Sequence, residues 1–177
     1  MHYKVIIRWA RRDDVPAINE IVNESIENTC VNWAWKKRSM EDAQKWYDEH
    51  DKERYCIFVA EIDGKVAGYG SLSAFRNKEG YWPVAENSVY IHKDFRKRGL
   101  GGTLLQKLIE HARSSGLWAI SAWIDSGNQQ SIRLHEKYGF YITGEMKNVG
   151  EKLGERRSVT IMQLDFDENG EKYDRGK

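Results

Sequence analysis

The stretch "HKDFRKRGLGGTLLQKLIEHARSSG", residues 92–116, indicates both the fold and a binding site. Three consecutive cations, residues 96–98, stand directly before Gly99, Gly101 and Gly102, and an amphipathic run follows that is typical of a helix. Free N–H groups and the helix dipole favour an anion at a helix N-terminus, and glycine lets that anion approach the backbone. We therefore predict a phosphate site here, with a helix start flanked by solvated charges as the alternative.

Length and composition favour one compact domain that binds a small anion. The chain has 177 residues, of which 40% are apolar and 31% charged, as in ordinary globular proteins. The 28 Lys and Arg nearly balance the 27 Asp and Glu, so no overall field attracts nucleic acid or an acidic membrane. We predict one domain over residues 1–166 and a polar tail over residues 167–177.

Cysteine usage and the N-terminal sequence predict a cytoplasmic protein. Cys30 and Cys56 lack the spacing of a zinc or redox motif, and Cys56 lies in an apolar run where a buried, inert thiol is expected. The first apolar stretch is too short for a signal peptide, and no segment has the length of a membrane span. We expect no metal.

Strand and helix patterns alternate along the chain. Alternating or continuous apolar runs predict strands, and Asp63-Gly64 supplies a hairpin turn. Helix caps are expected at Asp13 or Asp14, at Ser39 with Asp42, and at Asn128. The predicted strands span 3–10, 55–62, 66–75, 85–93, 117–124, 140–146 and 157–166, and the predicted helices span 13–28, 39–50, 102–115 and 128–138. The fold class is therefore α/β or α+β, with a mixed sheet.

Two common nucleotide-binding motifs are missing from the loop. No Gly-Lys-Ser/Thr follows the glycines, so the Walker form is absent. The dinucleotide fingerprint lacks its third glycine and its early position in the chain. A nucleotide-binding protein is therefore a distant alternative.

The pattern Arg96-x-x-Gly99-x-Gly101 resembles the pyrophosphate loop of the GNAT N-acetyltransferases. The resemblance covers nearly the whole chain and is strongest to the phosphinothricin and methionine sulfone or sulfoximine acetyltransferases. It rests on "ENSVYIHKDFRKRGLG", "DSGNQQSIRLHEKYGF" and "EMKNVGEKLGERRSVTIMQ". The resemblance implies a central mixed, mostly antiparallel sheet of about seven strands flanked by about four helices. It also implies acetyl-CoA as cosubstrate, a small-molecule amine or amino-acid analogue as acceptor, and a homodimer.

Acetyl transfer to an amine requires an uncharged nucleophile, although α-amino groups are largely protonated near neutral pH. By resemblance, Glu86 is the base that removes this proton, directly or through a water. The alternative is an exposed carboxylate at a strand end that makes a salt bridge.

The departing thiolate leaves more easily when a group delivers a proton to it. His135 takes the place where many GNATs carry a tyrosine near the CoA sulfur, and imidazole suits a proton donor. The alternative is a partly buried helix histidine that holds Glu136 or a backbone carbonyl. Tyr138, one turn further on, is a rival donor at a position where the similar enzymes often have Leu.

The resemblance also assigns the residues that bind acetyl-CoA. A backbone N–H of the strand around Val89 to Ile91 is expected to stabilise the oxyanion, and the pantetheine arm is expected to bind as an extra strand. The expected cofactor-binding residues are Val89, Tyr90, Ile91, Arg96, Lys97, Arg98, Gly99, Leu100, Gly101, Asn128 and Ser131.

The insertion "SAFRNKEGYWPVAENS" is the expected contact with the acceptor. Arg76 is suited to pair with a carboxylate or phosphinate, while aromatic side chains wall the pocket; the alternative is a surface loop with an incidental cation. Trp33 and Trp35 replace smaller or single aromatic residues, so they either narrow the pocket or pack on it. The predicted substrate-binding residues are Glu27, Thr29, Phe75, Arg76, Asn77, Tyr81 and Glu86.

The resemblance implies direct attack of the α-amine on acetyl-CoA within a ternary complex. A cysteine nucleophile is disfavoured because neither cysteine has a neighbouring base in sequence. Two other hypotheses stay open: a GNAT that acetylates a protein N-terminus or a polyamine, and a non-catalytic module that binds acyl-CoA.

Overall fold

The computed structural model describes residues 4–167, which form one seven-stranded sheet and four helices. The predicted tail lies outside the described residues except for Asp167. The strands are β1 (Val5–Trp9), β2 (Cys56–Ile62), β3 (Lys65–Ala74), β4 (Val84–Ile91), β5 (Ala119–Asp125), β6 (Tyr141–Lys152) and β7 (Glu155–Asp165). The helices are α1 (Val15–Asn28), α2 (Met40–Asp48), α3 (Leu100–Ser114) and α4 (Gln129–Lys137).

The sheet is antiparallel at every described pairing except one. Its strand order is β1-β2-β3-β4-β5-β7-β6, and β4 and β5 form the parallel pair. The connection between them contains α3, as parallel neighbours require. The predicted mixed, mostly antiparallel sheet with four helices is confirmed.

Two apolar clusters cover the two faces of the sheet. Alternate residues of β2 enter different clusters: Phe58 packs with α3, whereas Val59 packs with α1. The residues of α3 that were expected to be buried are all inside the first cluster: Leu104, Leu105, Leu108, Ile109 and Ala112. Helices α1 and α3 therefore lie on opposite faces, and the sheet between them is buried on both sides.

Local capping and turn chemistry is confirmed at most predicted positions. The side chains of Ser39 and Asn128 accept hydrogen bonds from the amides of Asp42 (3.0 Å) and Ser131 (3.2 Å). Asp63 and Gly64 have φ of 49° and 77° in the β2–β3 turn. Such positive values at both positions are typical of a type I′ hairpin.

The N-cap of α1 is one of the two predicted residues, although its side chain bonds elsewhere. Asp14 occupies the N-cap position, but its side chain makes no capping bond to the helix. Its carboxylate instead accepts from the Arg8 guanidinium at 2.7 Å and from the Arg11 amide at 2.7 Å. These bonds tie β1 to the start of α1 and keep the pKa of Asp14 below its ordinary value, although burial acts in the other direction.

The hairpin of β6 and β7 is longer than the sequence predicted. Both strands continue through the polar segment 147–156, where the expected strand 140–146 had already ended. Leu153 and Gly154 form the turn with φ of 54° and 80°. Cross-strand pairing therefore extends a strand through residues that have no apolar alternation.

This hairpin anchors the loop that follows α1. The indole Nε1 of Trp33 donates to Asp125 at 2.9 Å, and that of Trp35 donates to the Glu151 carbonyl at 3.2 Å. The buried ammonium of Lys152 donates to the carbonyls of Ile26 (2.5 Å) and Ala34. Trp35 thus contacts the hairpin at Glu151 and Trp33 contacts it at Gly150, which neither of the two expectations had described.

Gly150 is the point where this packing leaves no room for a side chain. A Cβ there would lie 2.5 Å from the Trp33 ring, which Asp125 and the Cys30 carbonyl hold in place. We expect Gly150→Ala to lower the free energy of unfolding by about 1–3 kcal/mol, measured by urea denaturation. Gly144→Ala on the same strand is the control, because a Cβ there meets nothing within 4 Å. Equal stability of the two variants would contradict the packing.

Candidate active site

The site is a cleft at the point where β4 and β5 separate. Their parallel pairing covers Val84, Ala85 and Glu86 opposite Ala119, Ile120 and Ser121, and no further pair joins them in the described chain. Both strands continue, β4 to Ile91 and β5 to Asp125, so they diverge from a vertex at Glu86. A cleft of about 700 Å³ opens between them and reaches the N-terminal ends of α3 and α4.

The glycine-rich loop presents backbone donors at one end of this cleft. Gly99 is the N-cap of α3 with φ of 78°, and Lys97 also has a positive φ of 62°. The amides of Gly102 and Thr103 already donate to the Gly99 carbonyl, at 3.1 and 3.2 Å. Helix geometry leaves the N–H groups ahead of them, at 99–101, without an intrahelical acceptor, and they are suited to an anion.

The sequence predicted that α3 begins after Gly101, but the helix begins at Leu100. Gly101 and Gly102 therefore belong to the first helical turn. The phenol oxygen of Tyr138 lies only 2.7 Å from where a Cβ on Gly102 would be, so this glycine admits a close contact with α4. The left-handed conformation that glycine adopts at low cost is needed at Gly99.

The three loop cations do not share one role. Arg96 pairs with Glu24 of α1 at 2.9 Å and donates to the Ile91 carbonyl at 3.3 Å, which fixes it beside the cleft. Arg98 donates to the Asp94 carbonyl at 3.3 Å and lies 5.2 Å from the Phe95 ring centre. It is not among the described residues that line the cleft, unlike Lys97.

The other predicted cofactor-binding residues all line the cleft. They are Val89, Tyr90, Ile91, Arg96, Lys97, Gly99, Leu100, Gly101, Asn128 and Ser131. The structure thus brings together residues from β4, the loop, α3 and α4.

Glu86 lies at the vertex with its carboxylate half-buried. Burial raises its pKa above the ordinary value, while Arg76, whose guanidinium is 3.6 Å away, acts against this rise. A carboxylate with a raised pKa is a stronger base that still ionises readily, as general base catalysis requires. The alternative, a salt bridge, is therefore present, and the role of Glu86 as base stays a prediction that its raised pKa supports.

Arg76 is held over Glu86 by two aromatic rings. Its guanidinium carbon lies 4.1 Å from the centre of Phe75 and 4.6 Å from that of Trp123, and it donates to the Phe75 carbonyl at 2.6 Å. The insertion thus folds back onto the vertex. Sequence reasoning missed Trp123, which stands in an apolar strand without any local sign that it faces the site.

His135 is buried, and its hydrogen bonds define its tautomer. Nδ1 lies 2.8 Å from the Ser131 carbonyl, which only accepts, so Nδ1 carries the proton. Nε2 then accepts from the Asn87 amide at 2.9 Å, and burial lowers the pKa of the ring. These contacts favour the alternative of a helix histidine that holds a backbone carbonyl.

The remaining predicted substrate contacts divide into two groups. Thr29 lines the cleft, and its hydroxyl donates to the Ser25 carbonyl at 2.7 Å. Tyr81 packs on Phe75 with ring centres 5.6 Å apart, and Asn77 is exposed in the same insertion, but neither is among the described residues that line the cleft. Glu27 instead pairs with Lys37 at 2.8 Å and is not among the described residues that line the cleft.

Several contacts made by residues in or beside the cleft were not predicted. Tyr69 and Tyr90 stack with ring centres 5.6 Å apart, and Asn32 donates to the Tyr90 hydroxyl at 3.5 Å. Asp125 binds Arg157 at 2.5 Å, and this contact with other hydrogen bonds lowers its pKa despite burial. Each contact joins segments that are far apart in sequence.

The described residues suggest neither a membrane span nor a metal centre. None of the helices between residues 4 and 167 combines the length and apolarity that a bilayer crossing requires. No three His, Cys, Asp or Glu side chains in that range are grouped as a metal site would need. The expectation that no metal takes part stays a prediction.

Comparisons with known proteins agree with this geometry. The family model described as "Acetyltransferase (GNAT) family" matches residues 15–140. The L-methionine sulfoximine/L-methionine sulfone acetyltransferase of Pseudomonas paraeruginosa is 42% identical over 162 residues, covering 91% of this chain and 94% of that protein.

Two solved structures share both fold and sequence with the chain. A GNAT superfamily phosphinothricin acetyltransferase from Sinorhizobium meliloti in complex with AcCoA superposes with a TM-score of 0.89 at 30% identity, covering 97% of this chain and 94% of that one. A ribosomal-protein-alanine N-acetyltransferase from Brucella melitensis superposes with a TM-score of 0.88 at 37% identity, covering 91% and 99%.

The left-handed glycine of the loop provides a test of the anion site. We expect Gly99→Ala to weaken the binding of CoA, which carries a pyrophosphate, by about tenfold or more in isothermal calorimetry, equivalent to about 1.4 kcal/mol. The added Cβ lies where the anion meets the backbone.

Gly116→Ala is the matched control. Gly116 also has a left-handed φ, 71°, and a Cβ added there would meet nothing within 4 Å, but it follows the C-terminus of α3. Both variants should lose about 1–2 kcal/mol of stability from the left-handed strain. Equal CoA affinity of the two variants would place the anion elsewhere.

Proposed function

The chain belongs to the GNAT family and is an N-acetyltransferase, and we propose that it acetylates the α-amine of a small amino acid or amino-acid analogue. The observation that carries the proposal is the vertex itself. There a half-buried carboxylate with a raised pKa, Glu86, lies beside a cation, Arg76, at the end of the cleft. An α-amino acid has the matching pair of groups, one amine and one carboxylate.

Acetyl-CoA fits the residues that line the cleft. The N–H groups at 99–101, with Lys97 and Arg96 nearby, suit its pyrophosphate. Beyond Glu86, the edge of β4 that faces β5 has no strand partner in the described chain, so its backbone groups suit the amides of an extended arm. Bound acetyl-CoA supplies the activated thioester, and the backbone N–H groups around Val89 to Ile91 are the proposed oxyanion donors.

Glu86 is the proposed base for direct attack. Its carboxylate accepts a proton from the amine, directly or through a water, because it is half-buried and weakly solvated. Cys56 does not suit a covalent route. Burial raises the pKa of the Cys56 thiol to about 12, which keeps it protonated and inert.

Arg76 is the proposed partner of the acceptor carboxylate. Phe75 and Trp123 hold its guanidinium in place, so less side-chain entropy is lost when it binds an anion. A cation at this position opposes a polyamine acceptor through like-charge repulsion. Phe75, Asn77, Tyr81 and Thr29 are the proposed further contacts, and Glu27 is a weaker candidate because it pairs with Lys37.

The protonation of the departing thiolate stays a prediction for both candidates. His135 has its Nε2 lone pair directed to Asn87, which supports a positioning role in the neutral ring. Tyr138 places its phenol oxygen against Gly102, at the start of α3, which supports packing beside the loop.

A protein N-terminus is the second candidate acceptor. The similarity to the ribosomal-protein-alanine N-acetyltransferase from Brucella melitensis favours it. The vertex argues for the smaller acceptor, because Arg76 stands where a peptide has an uncharged amide in place of the carboxylate. A purely acyl-CoA-binding module would not need a half-buried base beside this cation.

The activity is tested by following CoA thiol release with a panel of amines. We expect turnover of methionine sulfone, methionine sulfoximine or phosphinothricin, and a loss of about 10²-fold or more in Glu86→Gln. Because Glu86 acts as the anion, activity should rise as pH increases through its raised pKa. The panel also contains spermidine and a short peptide that begins with alanine.

Each outcome of the panel bears on one statement. If calorimetry shows that Glu86→Gln binds acetyl-CoA with unchanged affinity, its loss of activity lies in the chemical step. If the peptide is turned over faster than the amino-acid analogues, the acceptor is a protein N-terminus and not a small amino acid. Full activity of Glu86→Gln would remove Glu86 as the base.

We also infer a homodimer and a cytoplasmic location. β6 is an edge strand, and the hairpin exposes Ile142, Met146, Val149 and Leu153. We take these four residues together as one apolar patch, which suits burial against a second copy. Both cysteines are free thiols, as a reducing compartment requires.

Light scattering should give a mass of twice the 20.7 kDa chain. The double variant Val149→Glu with Leu153→Glu should shift the protein toward monomer because it charges the patch. Trp118→Glu alters an equally exposed apolar residue that precedes β5, and it should leave the dimer intact. A monomeric wild type would contradict the inference.

A further inference from the structure

A second titratable group lies on the Glu86 side of the sheet. His50 follows α2, and its ring is half-buried between Trp46 and Ser73. Nδ1 lies 2.7 Å from the Trp46 carbonyl, and Nε2 lies 3.1 Å from the Ser73 hydroxyl. Neither cofactor binding nor the role of Glu86 as base involves this histidine.

The two hydrogen bonds have defined directions. The Trp46 carbonyl only accepts, so Nδ1 of His50 carries the proton and Nε2 carries the lone pair. The Ser73 hydroxyl therefore donates to Nε2. Its proton is directed to the histidine, and its oxygen lone pairs remain able to accept from another group.

Ser73 is the cross-strand neighbour of Glu86. The two residues are directly opposite in the antiparallel register of β3 and β4, so their side chains project from the same face. Directly opposite Cβ atoms lie about 4.5–5.5 Å apart. This spacing would place an ammonium group bound by Glu86 near the Ser73 oxygen.

The reaction requires an exit for one proton. The balance is R–NH₃⁺ + CH₃CO–S–CoA → R–NH–COCH₃ + HS–CoA + H⁺, since the amine is largely protonated near neutral pH. One proton must leave before attack, and a second leaves the nitrogen during it. A single carboxylate at the vertex does not account for both.

We propose that Ser73 and His50 remove the first proton of the acceptor ammonium, leaving Glu86 free to accept the second. The ammonium gives a proton to Ser73 Oγ as the Ser73 proton passes to Nε2 of His50, which then releases it to solvent. The free amine then forms the N–C bond and gives its second proton to Glu86. The C–S bond breaks with its electron pair on sulfur. The proton held by Glu86 equals the one that the thiolate needs to become HS–CoA. His50 acts through Ser73 and is a positioning residue.

The surroundings of His50 suit this task. Burial lowers the pKa of the ring, so it is neutral and able to accept near pH 7, while Glu49 and Asp51 raise the pKa and favour the transient cation. On the facing strands the ring meets Ser73 of β3, with Glu86 and its partner Arg76 beyond. Half-burial leaves a path to solvent.

The proposal rests on the proposed function, and pH profiles test it separately. We expect Ser73→Ala and His50→Gln to lower kcat/KM for methionine sulfone by about 10²-fold at pH 7, the low end for proton transfer. The difference in kcat/KM between these variants and the wild type should disappear above the pKa of the amine, because the acceptor then binds as the neutral amine. Loss of the relay therefore shifts the rising limb of the profile to higher pH.

Two controls separate this effect from altered packing. Ser73→Thr keeps the hydroxyl and should keep the wild-type profile. His111→Gln removes another imidazole whose Nε2 lies 3.1 Å from a serine, Ser115, but this pair lies at the C-terminal end of α3, which covers the opposite face of the sheet. It should not move the profile.

The possible results are distinct. Profiles of Ser73→Ala and His50→Gln that are parallel to the wild type, lowered or not, would overturn the relay. A wild type that turns over no acceptor of the panel would instead contradict the proposed function. In that case the ammonium relay would have no substrate and would fall with it.

Discussion

The limited pairing of β4 with β5 is the constraint on which the rest of the structure depends. Three residue pairs join these strands, and then both continue apart for the rest of their length. Separation leaves backbone N–H and C=O groups that the sheet does not satisfy, and such groups need other partners. An extended amide-containing ligand supplies them. The same divergence brings the start of α3 and the start of α4 to the two sides of one cleft.

Charge at the vertex depends on a balance between burial and one cation. Burial alone would push Glu86 toward the neutral acid, whereas Arg76 favours the carboxylate. Arg76 in turn is placed by Phe75 and Trp123, which come from the insertion and from β5. Removing either ring would therefore alter the basicity of a carboxylate that it does not touch.

Local chemistry was predictable from the sequence, and long-range contacts were not. The hairpin turn at Asp63-Gly64, the caps at Ser39 and Asn128 and the loop before α3 follow from neighbouring residues alone. Trp33 on Gly150 joins residues that are far apart in the chain, so no short pattern announces it. The polar half of the β6–β7 hairpin was missed because pairing, not apolar alternation, holds it. His50 was missed because its partner, Ser73, is distant in the chain and lies on β3.

His50 and His135 share one arrangement, and we assign them two different roles. In each ring Nδ1 donates to a backbone carbonyl, which leaves the Nε2 lone pair to a side chain. For His135 that side chain is the Asn87 amide, which donates but does not pass a proton on at neutral pH. For His50 it is a serine hydroxyl, which both gives and accepts a proton. The carbonyl sets the tautomer in both, and on our proposal the group at Nε2 determines whether the ring fixes geometry or moves a proton.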